Sequence, residues 1–304
     1  MGFHTDIAMD QFFNVVALGL LLGGTYALVS VGLNLIFGVI RIVNFSQGEF
    51  LMLGMYGAYL GYTTMGLDPY AGAFIVVPAL TVLGMIIYWL VMRPLQNEPM
   101  MQVFASFGLL LLIQNIVLAI TGGVGMSMNT PFSQITLTIA GIQFSATRLI
   151  ILLASMVAAG ALGLYLAKTT FGQAIRAVAQ DRKAAQLMGI NVERTFMWSF
   201  GIGTGLAGLA GVLLTPIYTL SPQIGGNFVM AAFAVVVLGG LGSVLGAFVG
   251  GFIVGLTEAF AGYYIDPELK HAVIFIVFIA VLLIRPSGLF GQAGAEEVGL
   301  REQS

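Results

Sequence analysis

The sequence predicts an all-α polytopic membrane protein of about eight to nine transmembrane helices, some short or interrupted. Three observations carry that expectation. Of the 304 residues, 59% are hydrophobic and only 8% charged, where a soluble domain carries about 25% charge. The apolar residues gather in runs that each approach the ~20 residues needed to cross a bilayer. The basic residues concentrate in one long polar stretch, Lys168 to Arg194, where Lys168, Arg176, Arg182, Lys183 and Arg194 face only Asp181 and Glu193.

In order along the chain, Met1–Asp10 carries Asp6 and Asp10 but no Lys or Arg, the wrong start for a cleaved signal peptide. Apolar runs follow at 11–38, 44–63, 70–92, 101–121, 148–167, 196–219 and 271–285. The stretch 228–261, interrupted by Gly239-Gly240-Leu241-Gly242-Ser243, is too long for one span and short for two. Tyr56, Tyr59, Tyr62, Tyr88, Trp89, Trp198, Tyr218, Tyr263 and Tyr264 sit near span ends, where an aromatic belt belongs. The whole of 1–304 reads as a single transmembrane domain with a polar loop at 168–195. Its Gly- and Glu-rich tail, 286–304, is expected to be loose.

Orientation follows from the connectors. A basic loop between apolar spans stays in the cytoplasm, and Arg41 and Arg93 lie in connectors on that same side. Asp68, the linker 122–147 with Gly125 and Asn129, and Asp266 with Glu268 fall opposite. Two crossings by 228–261 would put the N-terminus outside and the C-terminus inside.

The polar loop is either a solvated connector or a helix that docks on something in the cytoplasm, and its residues favour the helix. Thr170 and Gln173 fit a capping box. Ile175, Val178, Ala185 and Met188 recur at helical spacing on one face. Gly189 supplies a left-handed stop, after which Ile190 can fold back on the last turn. Asp181 could cap a second short helix, so one bent helix and two short ones are both open.

A second polar stretch, Asn44-Phe45-Ser46-Gln47-Gly48-Glu49, opens an apolar run. Ser46 and Glu49 fit a capping box that would simply close a helix start near the membrane surface. The other reading starts the helix part-way into the bilayer, with Asn44, Ser46, Gln47 and Glu49 lining a path. Gly239, Gly240, Gly242 and Ser243 form a matching break in the second half, which either flanks the path or is simply a cytoplasmic turn between short spans. Glu258, near a span end, is expected to snorkel to the interface.

Glycine is abundant, 41 residues. Gly19 and Gly23, Gly57 and Gly61, Gly242, Gly246 and Gly250, and Gly251 and Gly255 repeat at the spacing that lets membrane helices approach closely. Gly203-Thr204-Gly205-Leu206-Ala207-Gly208 matches a dinucleotide fingerprint in letters only, since it lies inside an apolar span with no strand before it. The sequence holds no cysteine, no Walker A loop, no Gly-x-Ser-x-Gly elbow and no His and acid spaced for a metal. His4 lies in the terminal arm, and His271, which begins the last span, reads as an interface residue. No enzyme, cofactor, metal or nucleic-acid role is expected, and transport is what remains.

The chain resembles the membrane permease subunits of bacterial ATP-binding-cassette importers for branched-chain amino acids. The residues that carry this are Gly23-Gly24-Thr25-Tyr26-Ala27-Leu28 with Gly32-Leu33-Asn34-Leu35-Ile36-Phe37-Gly38-Val39, Asn44 to Phe50, and Arg176-Ala177-Val178-Ala179-Gln180-Asp181 running to Met188-Gly189-Ile190. Gly239 to Ser243 with Gly246-Ala247, and Arg285-Pro286-Ser287-Gly288-Leu289-Phe290-Gly291, complete the pattern along nearly the whole chain. The Glu-Ala-Ala loop of other importer permeases is only loosely echoed, because Lys183 stands where its Glu would be.

The resemblance implies the shorter of two permeases in a bacterial inner membrane. Its partners would be a second permease, two cytoplasmic ATPase subunits and a periplasmic substrate-binding protein. It also implies that 168–195 couples to the ATPase through Ile175, Arg176, Val178, Asp181, Arg182, Ala185, Met188 and Gly189. The ATPase must be separate, since this chain has no phosphate loop. Permeases for urea, short amides or aromatic acids look similar. An ATP-independent secondary transporter or channel is the competing class, and its paired acids and bases inside the spans are missing apart from Glu49.

Overall fold

In hydrocarbon, every backbone N–H and C=O must be paired within the protein, and helices do this locally. The computed structural model describes residues 2–128, 135–139 and 142–291. The expectations for Asn129, for the tail beyond Gly291 and for the side chains of His4 and His271 lie outside what is described.

The described chain forms α1 (Gly2–Ile40), α2 (Gln47–Met65), α3 (Pro69–Ile87), α4 (Pro99–Thr121), α5 (Ala146–Lys168), α6 (Thr170–Gln180), α7 (Arg182–Leu187), α8 (Val192–Leu214), α9 (Ile224–Gly239), α10 (Val244–Tyr264) and α11 (Lys270–Ile284). α3 runs on through a π-helical turn, Tyr88–Met92. The linker after α4 adds a short antiparallel hairpin, β1 (Thr136–Ile139) with β2 (Ile142–Ser145), which the sequence reading did not foresee.

α1, α3, α4, α5, α8 and α10 are long and apolar enough to cross a membrane, and α9 and α11 are shorter apolar helices. The stretch 228–261 is thus two helices parted at Gly240–Ser243. Burial sorts the layers. The most apolar windows of α1 and α8 are 72% buried, against 17% for α3 and α5, so α1 and α8 form the centre. α3, α4 and α5 turn Phe74, Ile75, Leu112, Ile116, Val157 and Leu164 outward, toward lipid. Trp89, Tyr263 and Tyr264 are exposed as a belt requires, but Tyr56 and Tyr88 are buried in the core instead.

α1 and α10 pack antiparallel through the expected glycine pairs. A Cβ on Gly255 would lie 2.2 Å from the Gly23 nitrogen, and one on Gly251 would lie 2.5 Å from that of Ala27. Only side-chain-free backbone fits such an approach.

The connectors separate into two ends. At one, Arg41 donates to the Ala179 carbonyl (3.0 Å) and Arg93 pairs with Glu193 (2.8 Å), so both basic connectors join the polar loop as expected. At the other, Met126 and Leu220 exchange backbone hydrogen bonds (3.0 and 2.7 Å), tying the linker after α4 to the turn after α8.

Candidate functional site

The polar loop resolves into two short helices, α6 and α7. The residue between α5 and α6 is Thr169, held extended, so it and not Thr170 becomes the N-cap; its hydroxyl accepts from the Gly172 N–H at 2.9 Å. Asp181 breaks the helix and caps α7, accepting from the Ala184 N–H at 2.9 Å. Gly189 takes φ +81°, and the Ile190 N–H reaches the Ala185 carbonyl (3.0 Å), closing α7 with the expected left-handed stop.

Ile175, Val178 and Ala185 are buried, in one cluster with Ile36, Val39 and Ile40 of α1 and Phe196 and Phe200 of α8. Met188 is not part of that face. It is 82% exposed, and Leu187 beside it 89%, because the chain has already turned into the left-handed stop there. Arg176 donates to the Leu166 carbonyl. Arg182 donates to the Ile40 carbonyl and lies 4.9 Å over the Phe196 ring. Both cations therefore fasten the pair of helices to its own transmembrane bundle.

The first break, 41–46, dives inward. Asn44, Ser46 and Gln47 are wholly buried and Glu49 is 1% exposed. Gln47, the first residue of α2, donates to the carbonyl of Gly203 at 2.9 Å. Gly203 is the central residue of α8, so α2 begins half-way along a long apolar helix. The expected Ser46–Glu49 capping box does not form. Ser46 has helical dihedrals (φ −74°, ψ 0°), whereas a side-chain cap needs an extended residue, and its hydroxyl turns back to Asn44 Oδ1 at 2.7 Å. Ser106 of α4 accepts from the Phe45 N–H (3.2 Å), so α4 and α8 hold the break between them.

The second break turns at the basic end. Gly240 (φ +108°) and Gly242 (φ +85°) adopt backbone that only glycine takes without strain. Asn34, wholly buried in α1, holds the turn: its Oδ1 accepts from the Gly242 N–H and its Nδ2 donates to the Ser243 carbonyl, each at 2.5 Å. The sequence reading did not single out Asn34, although an Asn inside an apolar span was the available signal. Gly242 and Ser243 share a pocket of about 330 Å³ with Arg41, Arg176, Gln180 and Phe290. Gly239 is buried against Gly246, where a Cβ would lie 2.1 Å from the Gly246 oxygen.

Glu258 does not snorkel. It is 6% exposed, accepts from the Tyr26 hydroxyl (2.5 Å) and pairs with Lys270 (2.8 Å), joining α1, α10 and α11. An acid–base pair therefore forms at the span ends, where Lys270, the first residue of α11, lies twelve residues from Glu258 on another helix. Among the described residues, no group of His, Cys, Asp and Glu is arranged to hold a metal.

The family model for the permease component of branched-chain amino acid transport systems matches residues 15–282. The chain is 33% identical to the high-affinity branched-chain amino acid transport system permease protein LivH of Salmonella typhimurium, over 95% of this chain and 97% of that one. LivH of Escherichia coli matches at the same identity and coverage. BraD of Pseudomonas aeruginosa, described in the same words, is 32% identical over 92% of this chain and 96% of its own length. No solved structure matches the chain. A multi-pass helical bundle, matched to the family model from 15 to 282, belongs to the branched-chain amino acid transport system permease family.

Proposed function

We propose that this chain is the transmembrane permease subunit of an ATP-driven importer that carries leucine, isoleucine and valine across a bacterial inner membrane. It works with a second permease, two cytoplasmic ATPase subunits and a periplasmic substrate-binding protein. The names of the relatives support the substrate class and the permease role.

One structural observation supports the mechanics. α6 and α7 are keyed into the transmembrane core by Ile175, Val178 and Ala185, while Leu187 and Met188 project bare. An ATPase that grips the exposed pair would move α6 and α7 as a unit with the ends of α1 and α8, because close-packed side chains transmit displacement. Arg176, Asp181, Arg182 and Gly189 shape and fasten this coupling element. The break at Asn44, Ser46, Gln47 and Glu49 lines the path through the bundle, and the turn at Gly239, Gly240, Gly242 and Ser243 flanks its cytoplasmic mouth.

The test is uptake of labelled leucine into vesicles holding the whole complex, with loaded binding protein and with or without ATP. Uptake that needs ATP and every partner is expected. Uptake by this chain alone down a gradient would instead make it a channel or secondary transporter.

A further inference from the structure

Two carboxylates are buried among the described residues, Glu49 and Glu258. Glu258 has Tyr26 and Lys270. Glu49 has no such company: its Oε2 is sealed from solvent and has no hydrogen-bond partner. Its surroundings offer no cation either. α2, α3, α4 and α9 carry no Lys, Arg or His, and the one basic residue of α8 is Arg194 in its first turn.

What lies against Glu49 is the start of another helix. Gly48 and Gly225 meet backbone to backbone, a Cβ on Gly48 falling 2.2 Å from the Gly225 oxygen. A Cβ on Gly225 would stand 3.0 Å from Glu49 Oε1, so the carboxylate is aimed at the first turn of α9. The N-terminal ends of α2 and α9 thus converge on one acid, and their partial positive charge offsets part of the cost of burying it. A buried carboxyl group beside two helix ends, with one oxygen unused, is suited to accept a hydrogen-bonding cation. At Gly48 and Gly225 the two helices meet through backbone, with Val229 the one side chain near Gly48, and turns bound α9 at both ends.

We propose that Glu49 is the ammonium-recognising group of the translocation path, receiving the protonated amine of the amino acid when α9 separates from α2. This rests on the reading of the chain as an amino acid permease. A neutral solute such as urea can donate to the same group but brings no opposite charge, so Glu49 favours a protonated amine over neutral solutes.

The experiment compares wild type, Glu49→Gln and Glu49→Asp in the full complex in vesicles, reading leucine uptake, binding-protein-stimulated ATP hydrolysis and subunit co-purification. Glu49→Gln is expected to assemble and hydrolyse ATP while uptake falls about 10- to 100-fold, the cost of replacing a charge-assisted hydrogen bond by a neutral one. Glu49→Asp should restore part of the uptake. Uptake by Glu49→Gln within about twofold of wild type would overturn the proposal, being below the cost of any charged hydrogen bond.

Should the Gln variant fail to assemble, the wild-type complex carries the test. Trapped with ATP and vanadate, it should be modified at Glu49 by dicyclohexylcarbodiimide, and excess leucine, but not N-acetyl-leucine, should suppress the modification. Equal suppression by both, or by neither, overturns the proposal. Wild-type uptake judges the importer reading, and the behaviour of Glu49 against wild type judges this one, so the two fail separately.

Discussion

Asn34 and Gly242 form a reciprocal clamp: the amide oxygen of Asn34 takes the Gly242 N–H, and its nitrogen serves the next carbonyl, that of Ser243. One buried side chain thereby satisfies the Gly242 N–H and adds a second donor to the Ser243 carbonyl, which also accepts from the Ala247 N–H at 2.9 Å. Asn34→Leu should strand the buried Gly242 N–H, at about 1–3 kcal/mol. The solubilised protein should melt several degrees lower than wild type. An unchanged melting temperature would show that water or another residue serves the turn.

The α1–α10 contact predicts a contrast within one helix. Gly255→Ala drives a methyl into the backbone at Gly23, whereas Gly262→Ala meets nothing within 4 Å. Overpacking of this kind costs about 1–3 kcal/mol. Gly255→Ala should therefore lower folded yield and melting temperature while Gly262→Ala leaves both unchanged. Equal effects would mean that helix propensity, not the close approach, governs these positions.

Substitutions in the polar loop should separate seating from docking. Val178→Asp places an unpaired charge in the core shared with α1 and α8, so it should reduce the amount of folded chain. Met188→Asp leaves the bundle intact but should weaken ATPase association, where a buried anchor typically contributes about 2 kcal/mol or more. Co-purification with the ATPase at graded salt measures this. Normal assembly and coupling by both variants would reduce α6 and α7 to a mere connector.

The Glu258–Lys270 pair should show the asymmetry of buried ions. Lys270→Met alone leaves the buried Glu258 carboxylate without its cation, a loss smaller than for a fully buried pair because the Lys270 side chain is 35% exposed, whereas adding Glu258→Met removes the burden. The double variant should melt above the single one. A double variant less stable than either single would mean that the ions act independently.

Single cysteines at Gln180 and Ser127, both exposed, should label from opposite faces of the membrane. The excess of Lys and Arg in the loop predicts a cytoplasmic Gln180. Labelling of both by an impermeant reagent added outside would reverse that assignment.

The bundle, its apolar runs and the helical nature of the polar loop were legible in the chain itself, because composition and short-range spacing are local properties. Asp181 as a cap and Gly189 as a left-handed stop follow from what those residues do within a few positions of themselves. The glycine repeats of α1 and α10 likewise announced a close approach, though not with whom.

Three matters only the tertiary structure decided. Met188 shares the spacing of Ile175 and Val178 but not their burial, since the break at Asp181 and the turn at Gly189 rotate it off the face. Ser46 and Glu49 have the letters of a capping box. The segment instead plunges to the middle of α8, where Gln47 finds Gly203 and Ser46 loses its extended geometry. Glu258 looked like an interfacial acid until folding brought Tyr26 and Lys270 to it from other helices. The sequence by itself determined where helices form, because hydrogen-bond closure and apolar runs act along the chain. Which buried polar groups find partners, and which, like Glu49, are left waiting for one, depends on contacts between helices distant in sequence, and only packing settles that.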